Sequence, residues 1–244
     1  MKKLNHQQTQ QLAKEVLKEE SAAIEALCNR VDDLFIQACE TLLNCEGRIV
    51  VIGIGKSGHV GRKIAATLAS TGSPAFFVSA AEASHGDLGM VCSDDVIMLL
   101  SNSGQSDEIL TLLPSLKRLG VPLIALTGNQ DSELATNSQF NIDISVTSEA
   151  CPLGLAPTTS TAAMLAMGDA LAISLLNARG FNEQDFARSH PGGKLGKRLL
   201  IKVSDIMHTG AQVPAVNQDS SLKQGLLEVS SKGLGMTTIV DQNN

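Results

Sequence analysis

Short apolar runs alternate with amphipathic stretches through the middle of the chain. Five such runs occur, at 48–55, 74–80, 95–101, 121–128 and 140–146. Segments with apolar residues at helical spacing separate them, and the longest helical segment, 159–180, follows the last run. Continuous apolar runs of this length are typical of strands buried on both faces of a parallel sheet. The pattern predicts an α/β fold with a doubly wound sheet of five parallel strands.

The segments that flank this pattern differ from it and from each other. Residues 1–45 place apolar side chains at helical intervals, which predicts N-terminal helices that pack on an α/β domain at 46–180. Residues 181–201 are polar and glycine-rich and carry His190, as expected of a tail or linker. Residues 202–244 have short strand and helix signals but are too few to form an independent core.

Composition and charge exclude several kinds of partner. The net charge is −6 and aromatic residues make up 2% of the chain, so we expect no nucleic-acid partner. The N-terminus is too polar for a signal peptide, and no run was seen to reach the ~20 apolar residues of a membrane span. The 5 cysteines form no CxxC pair and suit reduced thiols. These features predict a cytoplasmic protein that does not bind membranes.

Two polar clusters follow predicted strands, at the edge where ligands bind in such folds. The first, 53–58, formally matches GxGxxG, so a dinucleotide site has to be considered, although glycine is needed in any tight strand-to-helix turn. Lys56 within it is better suited to a phosphate or a developing enediolate. The second, 101–108, offers three serines at a helix N-terminus, which favours a phosphate monoester over simple capping.

Acid and base groups lie near the same predicted edge. Glu108 follows the second cluster, Glu149 follows the fifth strand, and His85 and His190 lie in loops. Each residue alone is more often a solvated or capping group. Moving a proton between adjacent sugar carbons needs a base and an acid, so the combination favours a sugar-phosphate isomerase. A further hydroxyl cluster, 157–161, opens the last helix.

Several segments of the chain, spread over about residues 10–200, resemble a known family. They are GIGKSGHVGRKIAATLASTG, AAEASHGDLGMV, LLSNSGQSDEI, PTTSTAAMLAMGDAL and FARSHPGGKLGKRL. In order and spacing they resemble the sugar isomerase (SIS) domain of arabinose-5-phosphate isomerases. The resemblance implies reversible conversion of D-ribulose 5-phosphate to D-arabinose 5-phosphate by an enediol route, which is the first step toward Kdo and lipopolysaccharide.

The resemblance also implies roles for particular residues. The catalytic residues that it implies are Lys56, Glu108, Glu149 and His190. Combined with the strand-end clusters, it predicts a substrate-binding set of Ser57, Gly72, Ser73, His85, Ser101, Asn102, Ser103, Ser106, Thr158 and Thr159. No cofactor is expected. No metal is expected either, because Ser79 stands where some relatives have a histidine implicated in inhibitory metal binding.

The resemblance extends to assembly and to the end of the chain. Residues from Val203 resemble the start of a CBS module, which is incomplete in 202–244, either by truncation or because the chain is naturally short. The family implies a homo-oligomer, expected to be a tetramer. Three alternatives stay open: a SIS-type sensor that binds a sugar phosphate without turnover, an isomerase of another sugar phosphate, and an NAD-dependent enzyme. The only support for the last is the glycine turn at 53–58.

Overall fold

A five-stranded parallel sheet forms the centre of the first part of the chain. The computed structural model describes residues 4–241. The strands are β1 (Ile49–Gly53), β2 (Ala75–Ser79), β3 (Val96–Ser101), β4 (Leu123–Thr127) and β5 (Phe140–Asp143). They are arranged in the order β2-β1-β3-β4-β5, and every neighbouring pair is parallel. The predicted doubly wound sheet is therefore confirmed.

Between the start of the described chain and Ser189, nine α-helices accompany this sheet. They are α1 (His6–Ala26), α2 (Asp33–Leu43), α3 (Gly55–Ser70), α4 (Ala80–Ala83), α5 (Asp107–Leu110), α6 (Leu113–Leu119), α7 (Glu133–Asn137), α8 (Thr159–Ala178) and α9 (Glu183–Ser189). Short 3₁₀ turns cover Leu27–Arg30 and Asp87–Met90. The helical pattern after β3 divides into α5 and α6, because Pro114 in the first turn of α6 lacks the N–H that a continuous helix would use.

Apolar side chains fill both faces of the sheet. Along β1 and β3, successive side chains point alternately into two clusters, so that Val51 and Met98 join one cluster while Val50 and Leu99 join the other. The first cluster is closed by α2, α3 and α8, and the second by helices α4 to α7. Burial on both faces explains why the strand sequences are continuously apolar rather than alternating.

Helix α8 is central to the first cluster. It is 20 residues long and, by length and composition alone, apolar enough to cross a membrane, which we did not predict from the sequence. Half of its apolar window is nevertheless buried within the protein. Gly168 lies so close to α3 that a Cβ atom there would be 2.3 Å from Cδ1 of Ile64. A core helix of this kind passes the same test, so α8 is weak support for a membrane location.

The remainder of the chain, from His190, forms a separate compact unit. It contains α10 (Lys194–Leu200), α11 (Val203–Ile206), β6 (Ala215–Asn217), α12 (Leu222–Lys232) and β7 (Thr238–Val240), with a 3₁₀ turn at Gly210–Gln212. Strands β6 and β7 pair in parallel. The division between the two units falls between Ser189 and His190, inside the predicted tail 181–201.

Candidate active site

The winding of the sheet reverses between β1 and β3. Strand β1 continues through α3 to β2 on one side, and the chain then returns to place β3 on the other side. Loops at the carboxyl ends of two such strands diverge and leave a crevice, where doubly wound proteins bind ligands. Lys56, after β1, and Asn102, after β3, line the same cavity of about 400 Å³ at this point.

Close packing accounts for the glycines that precede and follow Lys56. A Cβ atom on Gly53 would lie 3.1 Å from the carbonyl oxygen of Ser57, and one on Gly58 would lie 3.3 Å from the carbonyl oxygen of Gly53. Gly55 has φ +56°, a conformation that side-chain-bearing residues rarely adopt. The GxGxxG spacing therefore follows from a tight strand-to-helix turn and gives no separate support for a dinucleotide.

The serine loop, residues 101–106, is built from hydroxyl groups that contact one another. Ser101 Oγ lies 2.9 Å from Ser106 Oγ and 3.5 Å from Ser103 Oγ. The N–H of Gly104 donates to Ser101 Oγ (3.1 Å), and the N–H of Gln105 donates to Ser103 Oγ (3.2 Å). The N–H groups of Gly104 and Gln105 are thus occupied within the loop, and α5, at whose N-terminus the serines were predicted, is only 4 residues long. The loop offers hydroxyls rather than a helix dipole.

A neighbouring loop holds the serine loop in place. The N–H of Gly128 donates to the carbonyl oxygen of Asn102 (2.8 Å), and the N–H of Leu134 donates to the carbonyl oxygen of Gly104 (3.1 Å). Gly104 has φ +64°, and a Cβ atom there would lie 2.0 Å from Ser132 Oγ. The loop after β4 therefore fixes the backbone that presents the serines.

Glu149 lies at the start of α8 and accepts hydrogen bonds there. Its Oε2 accepts from the backbone N–H of Thr158 (2.8 Å), from Thr158 Oγ1 (3.2 Å) and from the N–H of Ser160 (3.2 Å). Its Oε1 accepts from Ser160 Oγ. Burial acts to raise the pKa of Glu149, but the bonds from Ser160 and Thr158 outweigh it, so the pKa lies below its ordinary value of 4.5. The carboxylate is thus both part of the cavity wall and a cap for α8.

The predicted hydroxyls of α8 serve this arrangement. Thr158 bonds Glu149, and the buried Thr159 accepts from the N–H of Ala150 through Oγ1 (2.9 Å). Sequence reasoning missed several members of the cavity, because loop 150–157 folds back over it. The full lining is Ile54, Lys56, Ser57, Asn102, Glu149, Gly154, Leu155, Pro157, Ser160, Thr161 and Met164.

The remaining predicted residues have different positions. Glu108, in the single turn α5, and His85, after α4, are both exposed and do not line this cavity. His190 belongs to the second unit. Among residues 4–241, no group of three or more His, Cys, Asp or Glu side chains is arranged to hold a metal ion.

The structure does not place the Gly72–Ser73 turn beside this cavity. The turn precedes β2, whereas Lys56 and the serine loop follow their strands, so it lies at the opposite edge of the sheet. Ser73 is fully buried and accepts a hydrogen bond from Nε of Arg179 (3.0 Å). A Cβ atom on Gly72 would lie 2.4 Å from the ring of Phe181. In this chain the turn anchors the segment that follows α8.

Comparison with known proteins identifies the class to which this fold and site belong. The SIS domain family matches residues 42–174, which is more than half of the 244 residues. The chain is therefore a SIS-domain protein.

Individual relatives define the family more narrowly. Over 224 residues the chain is 59% identical to arabinose 5-phosphate isomerase KdsD of Pseudomonas aeruginosa, covering 92% of this chain and 69% of the relative. It is 56% identical over 234 residues to the KdsD of Escherichia coli K12, covering 96% of this chain and 71% of the relative. A solved Escherichia coli CFT073 structure in complex with arabinose 5-phosphate has a TM-score of 0.73 and 45% identity, covering 77% of this chain and all (100%) of that one. The chain belongs to the arabinose 5-phosphate isomerase family, as the motifs predicted.

Proposed function

We propose that this chain interconverts D-ribulose 5-phosphate and D-arabinose 5-phosphate. The observation that carries the proposal is a cavity at the switch point of the sheet that joins Lys56, Asn102 and Glu149, in a chain 59% identical to a named isomerase of this substrate. The cavity of about 400 Å³ is in the range of small-ligand sites.

The serine loop supplies the phosphate-binding end of the site in this proposal. The exposed Ser103 and the half-buried Ser106 can each rotate a hydroxyl toward a phosphate oxygen, and the buried Ser101 contacts both of them from below. Ser57 and Asn102 border the adjacent cavity. This arrangement suits a dianionic monoester held by several hydroxyl donors.

The other end of the cavity supplies the acid–base chemistry. Glu149 removes the proton from C2 of the open-chain aldose, and the developing charge on O1 is stabilised by the ammonium group of Lys56. The resulting enediol is reprotonated at C1 while the C2 hydroxyl loses its proton, which gives the ketose. We assign Glu149 rather than Glu108 as the base because Glu149 lines the cavity with Lys56.

Roles for three further residues are predictions from the family motifs and the residue chemistry. Glu108 lies in α5, directly after the serine loop, and we assign it to the sugar hydroxyls next to the phosphate. We assign His85 to proton transfer at oxygen or opening of the arabinose ring. The catalytic role of His190, which belongs to the second unit, stays a prediction of the family motif.

The test is turnover of purified protein, without added metal or cofactor, on D-ribulose 5-phosphate, followed by NMR. We expect D-arabinose 5-phosphate to form, and we expect Lys56→Ala to abolish its formation. Lys63→Ala is the matched control, because Lys63 lies on the same helix but pairs with Asp169. Solvent deuterium should enter the substrate in wild type and should fail to enter it in Glu149→Gln.

Other results would refute the proposal in identifiable ways. Binding of the sugar phosphate that raises thermal stability without turnover would establish a sensor. Turnover of a different sugar phosphate in preference to these two would leave the site correct and the substrate wrong. Loss of activity in Lys63→Ala equal to that in Lys56→Ala would remove the assigned role of Lys56.

The setting of the enzyme follows from the same family. We place it in the cytoplasm, as a step toward Kdo and lipopolysaccharide. We assign the described part of residues 202–244, around the parallel pair β6 and β7, to the start of a CBS module; residues 242–244 lie outside the described residues. We propose a homotetramer. It is supported by α1, which has 21 residues, none of them buried, and exposes Leu12, Leu17 and Ile24. Light scattering on the purified protein measures the assembly directly.

A further inference from the structure

Two polar contacts join the N-terminal helical segment to the loop that ends in Glu149. Glu19, on α1, accepts a hydrogen bond from Ser148 Oγ through its Oε1 atom. Arg30, which ends the 3₁₀ turn after α1, donates from Nη1 to the carbonyl oxygen of Ser145 (2.5 Å). Both partners lie in the short loop between β5 and Glu149, and both contacts span more than 100 residues of sequence.

Arg30 also fixes the start of that loop. Its Nε lies 3.5 Å from Oδ2 of Asp143, the last residue of β5, and Oδ1 of Asp143 accepts from the N–H of Ser145 (2.8 Å). Gln130 donates to the same carboxylate (3.0 Å). The side chains of Arg30 and Asp143 are 25% and 19% exposed, so solvent screens this cluster only in part.

Apolar packing holds the core side of this loop, through Ile144 and Val146, but not the side that faces α1. A cavity of about 200 Å³ separates the helix from the loop, and on the helix side small residues, Ala22, Ala23 and Ala26, border it. A void of this kind does not fix the distance between two surfaces, because few side chains touch across it. On this side of the loop, the polar contacts of Glu19 and Arg30 therefore join it to the N-terminal helical segment, while Ile144 and its N–H bond to Thr127 (2.8 Å) hold the core side.

We propose that Glu19 and Arg30 are positioning residues for the isomerase reaction, and that they act by holding loop 144–148 so that Glu149 faces Lys56. The inference rests on the proposed function of Glu149. Glu149 is held by α8 on one side, where the N–H of Ala150 also donates to Thr159 Oγ1, and by this loop on the other. Release of the loop leaves these bonds to α8 but loosens the backbone that precedes Glu149.

The kinetic test separates positioning from binding. We expect Glu19→Ala and Arg30→Ala each to lower kcat by about ten-fold, with KM within about two-fold, since displacement of a reacting group costs more than loss of a partly exposed ion pair. Glu19→Gln keeps an oxygen that accepts from Ser148, so it should restore most of kcat. Glu15→Ala is the matched control, because Glu15 lies one turn earlier on the same helix and, within residues 4–241, bonds only to Gln11 on that helix (2.6 Å).

A double-mutant cycle identifies the contact itself. Ser148→Ala should reproduce the loss seen in Glu19→Ala, and the double variant should lose no more than either single variant. A kcat within about two-fold of wild type for both Glu19→Ala and Arg30→Ala would overturn the proposal. Fully additive losses at Glu19 and Ser148 would also overturn it, because the two residues would then act independently.

Hydrogen exchange provides a measurement that does not depend on catalysis. Peptides that cover residues 144–149 should exchange faster in Glu19→Ala and in Arg30→Ala than in wild type, and Glu15→Ala should leave them unchanged. If wild type fails to turn over D-ribulose 5-phosphate, the proposed function fails. The exchange measurement still tests whether Glu19 and Arg30 hold loop 144–148. Unchanged exchange in both variants would refute the positioning role of Glu19 and Arg30, even in an active enzyme.

Discussion

Glu149 caps α8 and is the proposed catalytic base, and a pair of substitutions can separate these two roles. Its carboxylate accepts from the backbone N–H groups of Thr158 and Ser160 at the start of α8, which is the work of an N-cap. Glu149→Ala removes this cap together with a negative charge at the positive end of the helix. Glu149→Gln removes the charge but keeps an oxygen at the position of Oε2, where the N–H donors converge.

The expected magnitudes follow from these contacts. Loss of a cap costs about 0.5–2 kcal/mol and loss of the charge at the helix terminus about 0.3–1 kcal/mol, so Glu149→Ala should lower the free energy of unfolding by about 1–3 kcal/mol. Ser160 is buried, so the loss of an acceptor for its hydroxyl places Glu149→Ala toward the upper end of this range. Glu149→Gln should cost about 1 kcal/mol or less. Both variants should lose isomerase activity.

The dependence on pH has a definite sign. The pKa of Glu149 in the folded protein is below its ordinary value of 4.5, so the unfolded chain binds the proton more tightly. The stability that Glu149 contributes is therefore fully present above about pH 4.5 and is lost as the pH falls through the lower folded pKa. The difference between wild type and Glu149→Gln should be constant at about pH 6–8 and should shrink at about pH 3–4.

Urea unfolding followed by far-ultraviolet circular dichroism is the suitable assay, because the chain has no Trp or Tyr for fluorescence. Glu108→Gln is the control, since Glu108 is exposed in the single turn α5; its free energy of unfolding should stay within about 0.5 kcal/mol of wild type. The reasoning is refuted if Glu149→Ala unfolds at the same urea concentration as wild type. It is also refuted if the Glu149→Gln difference is as large at about pH 3.5 as at about pH 7.

Two further predictions use other parts of the chain. Gly168→Ala should destabilise the protein by about 1–2 kcal/mol, because the new Cβ atom meets the side chain of Ile64. Gly225→Ala in α12 should be neutral or stabilising, because nothing lies within 4 Å of its Cβ position. Equal melting temperatures for the two variants would contradict this. Burial and the nearby Glu40 raise the pKa of Cys39 to about 11, and backbone hydrogen bonds from Ala156 and Leu153 lower the pKa of Cys151. At pH 8 about 0.1% of Cys39 is thiolate, so peptide mass spectrometry should find iodoacetamide on Cys151 first and on Cys39 last; early labelling of Cys39 would refute the assignment.

The strands and the serine loop could be predicted because their signals are local. Each strand is a run of residues that must be apolar on both faces, and Ser101 to Ser106 follow β3 directly, so the sheet edge that they occupy follows from topology. The division into α5 and α6 also has a local signal in Pro114, in the first turn of α6. Lys56 follows β1 almost directly, so its position at the carboxyl edge of the sheet could be predicted for the same reason.

Positions that depend on distant segments could not be predicted in this way. The family resemblance predicted Gly72 and Ser73 as substrate-binding residues. In the structure this turn lies at the other edge of the sheet, where Phe181 and Arg179, more than 100 residues later, cover it. The contact of Glu19 with Ser148 has no sequence signal either, because a glutamate on an amphipathic helix is usually solvated. Only the three-dimensional arrangement distinguishes these residues from their neighbours.

The position of Glu149 has consequences for the chemistry that the sequence alone does not reveal. A carboxylate that caps a helix is held rigidly and stays ionised at neutral pH, both of which a base requires. The hydrogen bonds that hold it also lower its proton affinity, which weakens it as a base. In the proposed mechanism, this weaker basicity is offset where charge develops, because Lys56, in the wall of the same cavity, is assigned to stabilise the enediolate oxygen. Rigid placement of the base and stabilisation of its product are therefore complementary, and weakening either should reduce kcat more than KM.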